Sequence, residues 1–223
     1  LNEVMAAYAG YYSRARAMMY NDAVDQVFKF AADDETRYGA TAIGRASIVV
    51  RNAIRAKNGA FFFNVTQTGW DLHDAQFTAA GSLYILNRDL DNAVSALADD
   101  LKASGDFDST LIIIMGEFGR TPGPLNSRSG RDHYRNVQSI AMMGGGIKGN
   151  RVIGATDAQG ALITDYGWSG NRPIYPEDIT ASIYSALGVD WTKSVYDTPS
   201  KRKYEYIPGA AEGRFGPVAE LWG

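Results

Sequence analysis

Thr110-Leu111-Ile112-Ile113-Ile114-Met115-Gly116-Glu117-Phe118-Gly119-Arg120-Thr121-Pro122 is the stretch on which the fold reading turns. Its apolar run from Leu111 to Met115 does not alternate. A strand with one wet face alternates apolar and polar side chains, so an unbroken run predicts a strand covered on both faces, as in a parallel sheet flanked by helices. Just past the run stand a carboxylate, Glu117, and a guanidinium, Arg120. In open α/β sheets ligands bind beyond the carboxyl ends of strands, so the same stretch marks where chemistry is expected.

Working upstream, Leu83, Leu86, Leu90, Val94 and Leu97 recur at helical spacing and predict a long helix over about 75–103, closed by Ser104-Gly105. Residues 60–66, rich in Phe and Val, predict a first strand. Ile48, Val49, Asn52, Ala53 and Ala56 predict a helix over 43–57 with Asn58-Gly59 as its stop. Residues 33–39 form a charged break, and residues 2–30 read as helix. Downstream, the sequence predicts a third strand over 137–143, a glycine turn at Gly144-Gly145-Gly146, and short β pieces around Val152 and Leu162. A helix follows over 176–187, with Pro176 in its first turn and Gly188 past its end, and the tail from Asp190 reads as irregular. This order predicts an α/β fold with a mainly parallel sheet and helices on both faces.

Composition narrows the function classes. At 223 residues the chain can bury a core, and 45% hydrophobic with 21% charged residues fits a soluble globular protein. A net charge of −3 without a basic cluster gives no reason to expect nucleic acid or an anionic membrane surface. No apolar run is long enough to span a bilayer. With no cysteine, any metal must be held by oxygen and nitrogen.

The polar clusters lie where the strand tips are predicted. Asp71 and His73, in Gly69-Trp70-Asp71-Leu72-His73-Asp74, share one side if the chain is extended there. Glu117 and Arg120 follow the second predicted strand, and a loop containing Asn126 leads to Arg131-Asp132-His133. The chain has two histidines, and both stand beside or near an aspartate at such a tip. Spacing alone leaves two readings open: metal ligation, or loop histidines and a strand-end salt bridge between Glu117 and Arg120. The three glycines lack the Lys-Ser/Thr ending of a P-loop, which favours a tight turn over a phosphate cradle. Asn64-Val65-Thr66 fits the N-glycosylation pattern, but a buried strand would hide it.

At these residues the sequence resembles a large bacterial family known as a domain of unknown function and grouped with the sulfatases in the alkaline-phosphatase-like superfamily. The motifs are Gly69-Trp70-Asp71-x-His73, Glu117-Phe118-Gly119-Arg120-Thr121-Pro122, Gly130-Arg131-Asp132-His133 and Gly144-Gly145-Gly146-Ile147-Lys148-Gly149. Similarity continues through Val152-Ile153-Gly154-Ala155-Thr156-Asp157 and Pro176-Glu177-Asp178-Ile179, covering most of residues 35–208. The resemblance implies that residues 1–223 are the C-terminal portion of one alkaline-phosphatase-like domain. Residues 1–58 would be a helical lead-in, 59–208 the sheet and site loops, and 209–223 a tail.

The resemblance further implies a metal-dependent hydrolase of phosphate or sulfate esters, with its nucleophile expected upstream of Leu1. It assigns Asp71, His73 and His133 to one divalent ion, zinc or manganese rather than calcium. Glu117 falls to a second site, where Phe118 replaces a usual ligand, and Asp132 orients its neighbouring histidine. Arg120, Asn126 and Arg131 become the candidates for binding a small anionic ester, and the rest of its own polypeptide is the implied partner. Export, to the periplasm or beyond, is the implied location. The rival expectations are a non-catalytic binding or scaffold protein that keeps this fold, and a structural calcium site.

Overall fold

The computed structural model describes residues 2–57, 59–78, 82–197 and 199–223, and the chain divides into two units, Leu1–Phe107 and Asp108–Gly223. The first unit is helical: α1 (Asn2–Met19), α2 (Asp22–Val27), α3 (Ala32–Tyr38), α4 (Ala42–Ala56) and α5 (Leu83–Ser104). Helix α4 starts where Thr41 caps it, its hydroxyl accepting from the Gly44 amide at 3.2 Å, and ends at Lys57 in the left-handed region. It buries Ile43, Ile48, Val50 and Ala53, while α5 buries Ala93, Ala96, Leu97 and Leu101 at three- and four-residue steps. The alanines of α5 allow α4 and α3 to pack closely on it.

Charge also holds this unit together. Asp100, on α5, accepts from Arg37 Nη2 at 2.8 Å, Tyr38 Oη at 2.8 Å and Arg51 Nη1 at 3.0 Å. Arg51 in turn grips Asp34 with two bonds, at 2.6 and 2.9 Å. Burial pushes the Asp100 carboxyl up, yet the three hydrogen bonds outweigh burial and hold it at about 2. Burial, with the bond to Asp100, raises the Tyr38 phenol. The charged break expected over 33–39 is mostly α3, because Asp33, Asp34 and Glu35 stand in a first helical turn, where the helix dipole favours acids.

Two expectations fail in this unit. No strand forms over 60–66, and Phe61 and Phe62 are 87% and 78% exposed. β propensity is realised only against a neighbouring strand, and none pairs with this segment among the described residues. Asn64 is therefore exposed rather than hidden. The long helix begins at Leu83 instead of 75; residues 79–81 of the expected span lie outside the described residues.

The second unit holds β1 (Leu111–Ile114), β2 (Gly119–Arg120), β3 (His133–Tyr134), β4 (Ala141–Gly144), β5 (Ala155–Thr156), β6 (Ile163–Asp165), α6 (Pro176–Ala186), β7 (Ser194–Val195) and β8 (Tyr204–Glu205). Its strands form four two-stranded antiparallel sheets: β1 with β4, β2 with β3, β5 with β6, and β7 with β8. The expected α/β architecture, an alkaline-phosphatase-like parallel sheet with helices on both faces, is therefore wrong for the described residues. A parallel pair needs a crossover, usually a helix, to return the chain to the same edge. Between β1 and β4 the chain instead makes the β2–β3 hairpin and loops, and β4 comes back antiparallel with Leu111 opposite Gly144. The residues of β1 are half-buried rather than covered on both faces.

Around α6 the packing is closer. Ala181, Ile207 and Ala210 form a core flanked by Tyr184, Trp191 and Phe215. The fully buried Asp178 receives a two-pronged bond from Arg172 at 2.6 and 2.7 Å, and the Tyr175 and Gly216 amides donate to it at 2.8 and 3.0 Å. Burial raises this carboxyl and those four bonds pull it below the usual range. The tail is not wholly irregular, since β7 and β8 pair within it. The glycine turn is as expected: Gly144, Gly145 and Gly146 all have positive φ, and the Ile147 amide closes back on the Gly144 carbonyl at 2.9 Å.

Candidate functional site

In the first unit the candidate residues sit on the loop before α5. The backbone is not extended there. The Leu72 amide donates to the Trp70 carbonyl at 2.9 Å and the His73 amide to the Asp71 carbonyl at 3.2 Å, two successive three-residue turns. Gly69, at φ +100°, opens this coil in a conformation that a side chain would resist. The turns bring His73 Nε2 to 3.0 Å from Asp71 Oδ1, with His73 partly covered and Asp71 largely open to solvent. The expected pairing of these two side chains is present, reached by a different backbone route. The loop is anchored on the first turn of α5: Gln67 Nε2 donates to the Leu86 carbonyl at 3.2 Å, and the Leu83 amide to the Gln76 carbonyl at 3.1 Å.

In the second unit the β2–β3 hairpin sets Arg120 directly opposite His133. Gly119 makes the hairpin possible, because a Cβ there would lie 1.8 Å from the Val137 carbonyl oxygen. The Phe118 ring packs on His133 with centroids 4.2 Å apart, and the Arg120 guanidinium lies 5.8 Å from the Phe118 centroid. Arg120 Nη1 also reaches the Arg131 carbonyl at 3.5 Å, a long contact. Glu117 is exposed in the turn between β1 and β2.

The loop from β2 to β3 is built around Asn126. Its side-chain oxygen accepts from the Arg128 and Gly130 amides at 3.0 Å each, and its Nδ2 faces both Asp132 carboxylate oxygens at 3.3 and 3.4 Å. Asp132 is clasped through its backbone as well, donating to Thr121 Oγ1 at 3.1 Å and accepting from the Thr121 amide at 2.9 Å. Arg131 donates to the Thr121 carbonyl. Of the three residues expected to bind substrate, Asn126 and Arg131 thus brace the loop, and Arg120 stands at its start.

Two carboxyls held below the usual range, Asp100 and Asp178, are bound by arginines, Asp100 by Arg37 and Arg51 and Asp178 by Arg172. Perturbed acids often mark active sites, but here the partners and burial identify them as structural. The ring of Phe118 under His133 was visible in the sequence only as a departure from an expected ligand.

Residues 2–205 match the profile of a family described as protein of unknown function (DUF1501). No curated protein and no solved structure matches the chain.

Proposed function

The chain belongs to this family, DUF1501, and on that premise we propose that it is a metal-dependent hydrolase of phosphate or sulfate esters, sulfatase-like in its chemistry. The observation that carries the reading is the 3.0 Å approach of His73 Nε2 to Asp71 Oδ1. Two ligand atoms at ~2.0–2.2 Å from one ion in tetrahedral geometry stand ~3.4 Å apart, so this pair has to open by only ~0.4 Å to share an ion. Asp71, His73 and His133 each offer one oxygen or nitrogen ligand atom. The motif likeness makes His133 the third ligand. Imidazole nitrogens with a carboxylate oxygen suit zinc or manganese better than calcium.

When bound, such an ion offsets charge on the ester oxygens and lowers the pKa of an attacking oxygen. Arg120 takes the anionic group, since its planar fork matches tetrahedral oxyanions. Asn126 and Asp132 keep the loop carrying His133 in one shape. Glu117 serves any second ion, but the Phe118 ring against His133 puts an apolar surface where another ligand is needed, which favours one ion. By the same likeness the reading includes export to the periplasm and a small anionic ester as substrate. No described helix is long and apolar enough to cross a membrane.

The test is elemental analysis of the full-length protein, wild type and His73→Ala, with a panel of phosphate and sulfate esters. One equivalent of zinc or manganese and turnover in the wild type, both lost in His73→Ala, support the reading. Metal without turnover favours a non-catalytic binding protein. Neither metal nor turnover overturns it.

A further inference from the structure

Beside Arg120 the second unit has an open cleft of about 420 Å³, lined by Phe118, Arg120, Val137, Gln138, Ser139 and Thr156 among glycines. Its volume falls within the ~300–1,000 Å³ typical of small-molecule sites. We propose that this cleft holds the alcohol half of the ester, and that this half is a hydroxyl-rich, sugar-like group rather than an aryl or alkyl one. The inference rests on the hydrolase reading for the ester itself, and on the cleft alone for the class of alcohol.

The lining carries the argument. Gln138 offers an amide and Ser139 a hydroxyl, while Thr156 Oγ1, which donates to the Asp157 carbonyl at 3.0 Å, offers an acceptor, so donors and acceptors occur together on the wall. A polyol can replace the water on all three side chains with hydrogen bonds of its own. An aryl group offers these side chains no hydrogen-bond partner, so it gains less from this wall than a polyol does. Phe118 and Val137 supply limited apolar surface, enough for the C–H faces of a saturated ring. Arg120, paired in the hairpin with His133, is also part of the lining. An oxyanion held by Arg120 therefore lies on the same hairpin as a proposed metal ligand, with its alcohol directed along the polar wall.

Phe118 and the glycines set the shape. Gly119 cannot accept a side chain because the Val137 carbonyl already fills the space. Gln138, Ser139 and Thr156 are exposed, which makes them replaceable without disturbing a core.

The experiment measures binding of hexose 6-phosphate, hexose 6-sulfate, phenyl phosphate and inorganic phosphate to the full-length protein by calorimetry. Wild type is compared with Gln138→Leu and Thr156→Val, with circular dichroism to confirm folding. The expected result is ~10-fold tighter binding of at least one hexose ester than of phenyl phosphate. Each variant should lose ~5-fold or more of that affinity while inorganic phosphate is unaffected. Whether sulfate or phosphate wins identifies the oxyanion, and either supports the proposal. Phenyl phosphate binding as tightly as both hexose esters, or variants that weaken inorganic phosphate equally, overturns it. Hexose preference without turnover leaves the cleft assignment standing while the hydrolase reading falls, and turnover without that preference does the reverse.

Discussion

Replacing Asp100 by Asn removes one charge from the centre of the helical unit while keeping the side chain's size. The carboxylate is one-tenth exposed and accepts from Arg37, Tyr38 and Arg51, and the Arg51 side chain is 6% exposed. Breaking a buried ion pair from one side costs ~3–5 kcal/mol, because the partner's charge is left behind. Here Asp34 still neutralises Arg51 through two bonds, and Arg37 is half exposed. The expected loss is therefore near the low end, ~3 kcal/mol. Asn also turns an amide donor toward donors that have lost an acceptor.

The acid limb supplies an independent check. The Asp100 carboxyl is held at about 2 in the folded unit, below the ~3.9 of a free aspartate, so between those values the unfolded chain binds more protons. Its contribution is complete above pH ~4 and is lost as pH falls toward ~2, a span of roughly 2 kcal/mol. Urea unfolding followed by far-ultraviolet dichroism, repeated from pH 6 down to pH 2, reads both quantities. Asp100→Asn should lower the neutral-pH stability and flatten this part of the acid limb. A loss under ~1 kcal/mol, or superimposable acid limbs, would refute the account of Asp100 as the hub.

Arg172→Lys should destabilise the second unit by ~2 kcal/mol in thermal denaturation, because Lys cannot reproduce the fork on Asp178. It also cannot stack equally among Trp168, Tyr175 and Phe215, whose centroids lie 4.9, 5.4 and 5.6 Å from the guanidinium carbon; an unchanged melting point would dismiss this view. Gly119→Ala should displace β2, costing at least ~2 kcal/mol and weakening phosphate binding at Arg120, because its Cβ meets the Val137 carbonyl. Gly149→Ala, with nothing within 4 Å, is the control expected to be neutral in both assays.

Locally encoded features were legible in the sequence. The periodic faces of α4 and α5, Pro176 at the start of α6 and the three-glycine turn each depend on residues a few positions apart. The sheet was not legible, because Leu111 to Met115 report apolarity but say nothing about which way a partner runs. The β2–β3 hairpin has two residues per strand, too few for any period to show. Asp71 and His73 were found for a partly mistaken reason: successive tight turns, not an extended strand, bring them together. The Asp100 cluster joins residues 49 to 63 positions apart, and no pattern in the linear sequence signals such a meeting.

Helix α5 joins two features at opposite ends. The Asp71–His73 loop is fastened to its first turn, at Leu83 and Leu86, while Asp100 lies four to five turns along, about 26 Å away at ~1.5 Å per residue. The helix therefore works as a beam whose far end is bolted by arginines. A loop mounted on such a beam takes its position from the support. Damage to the bolts reaches the loop without touching it.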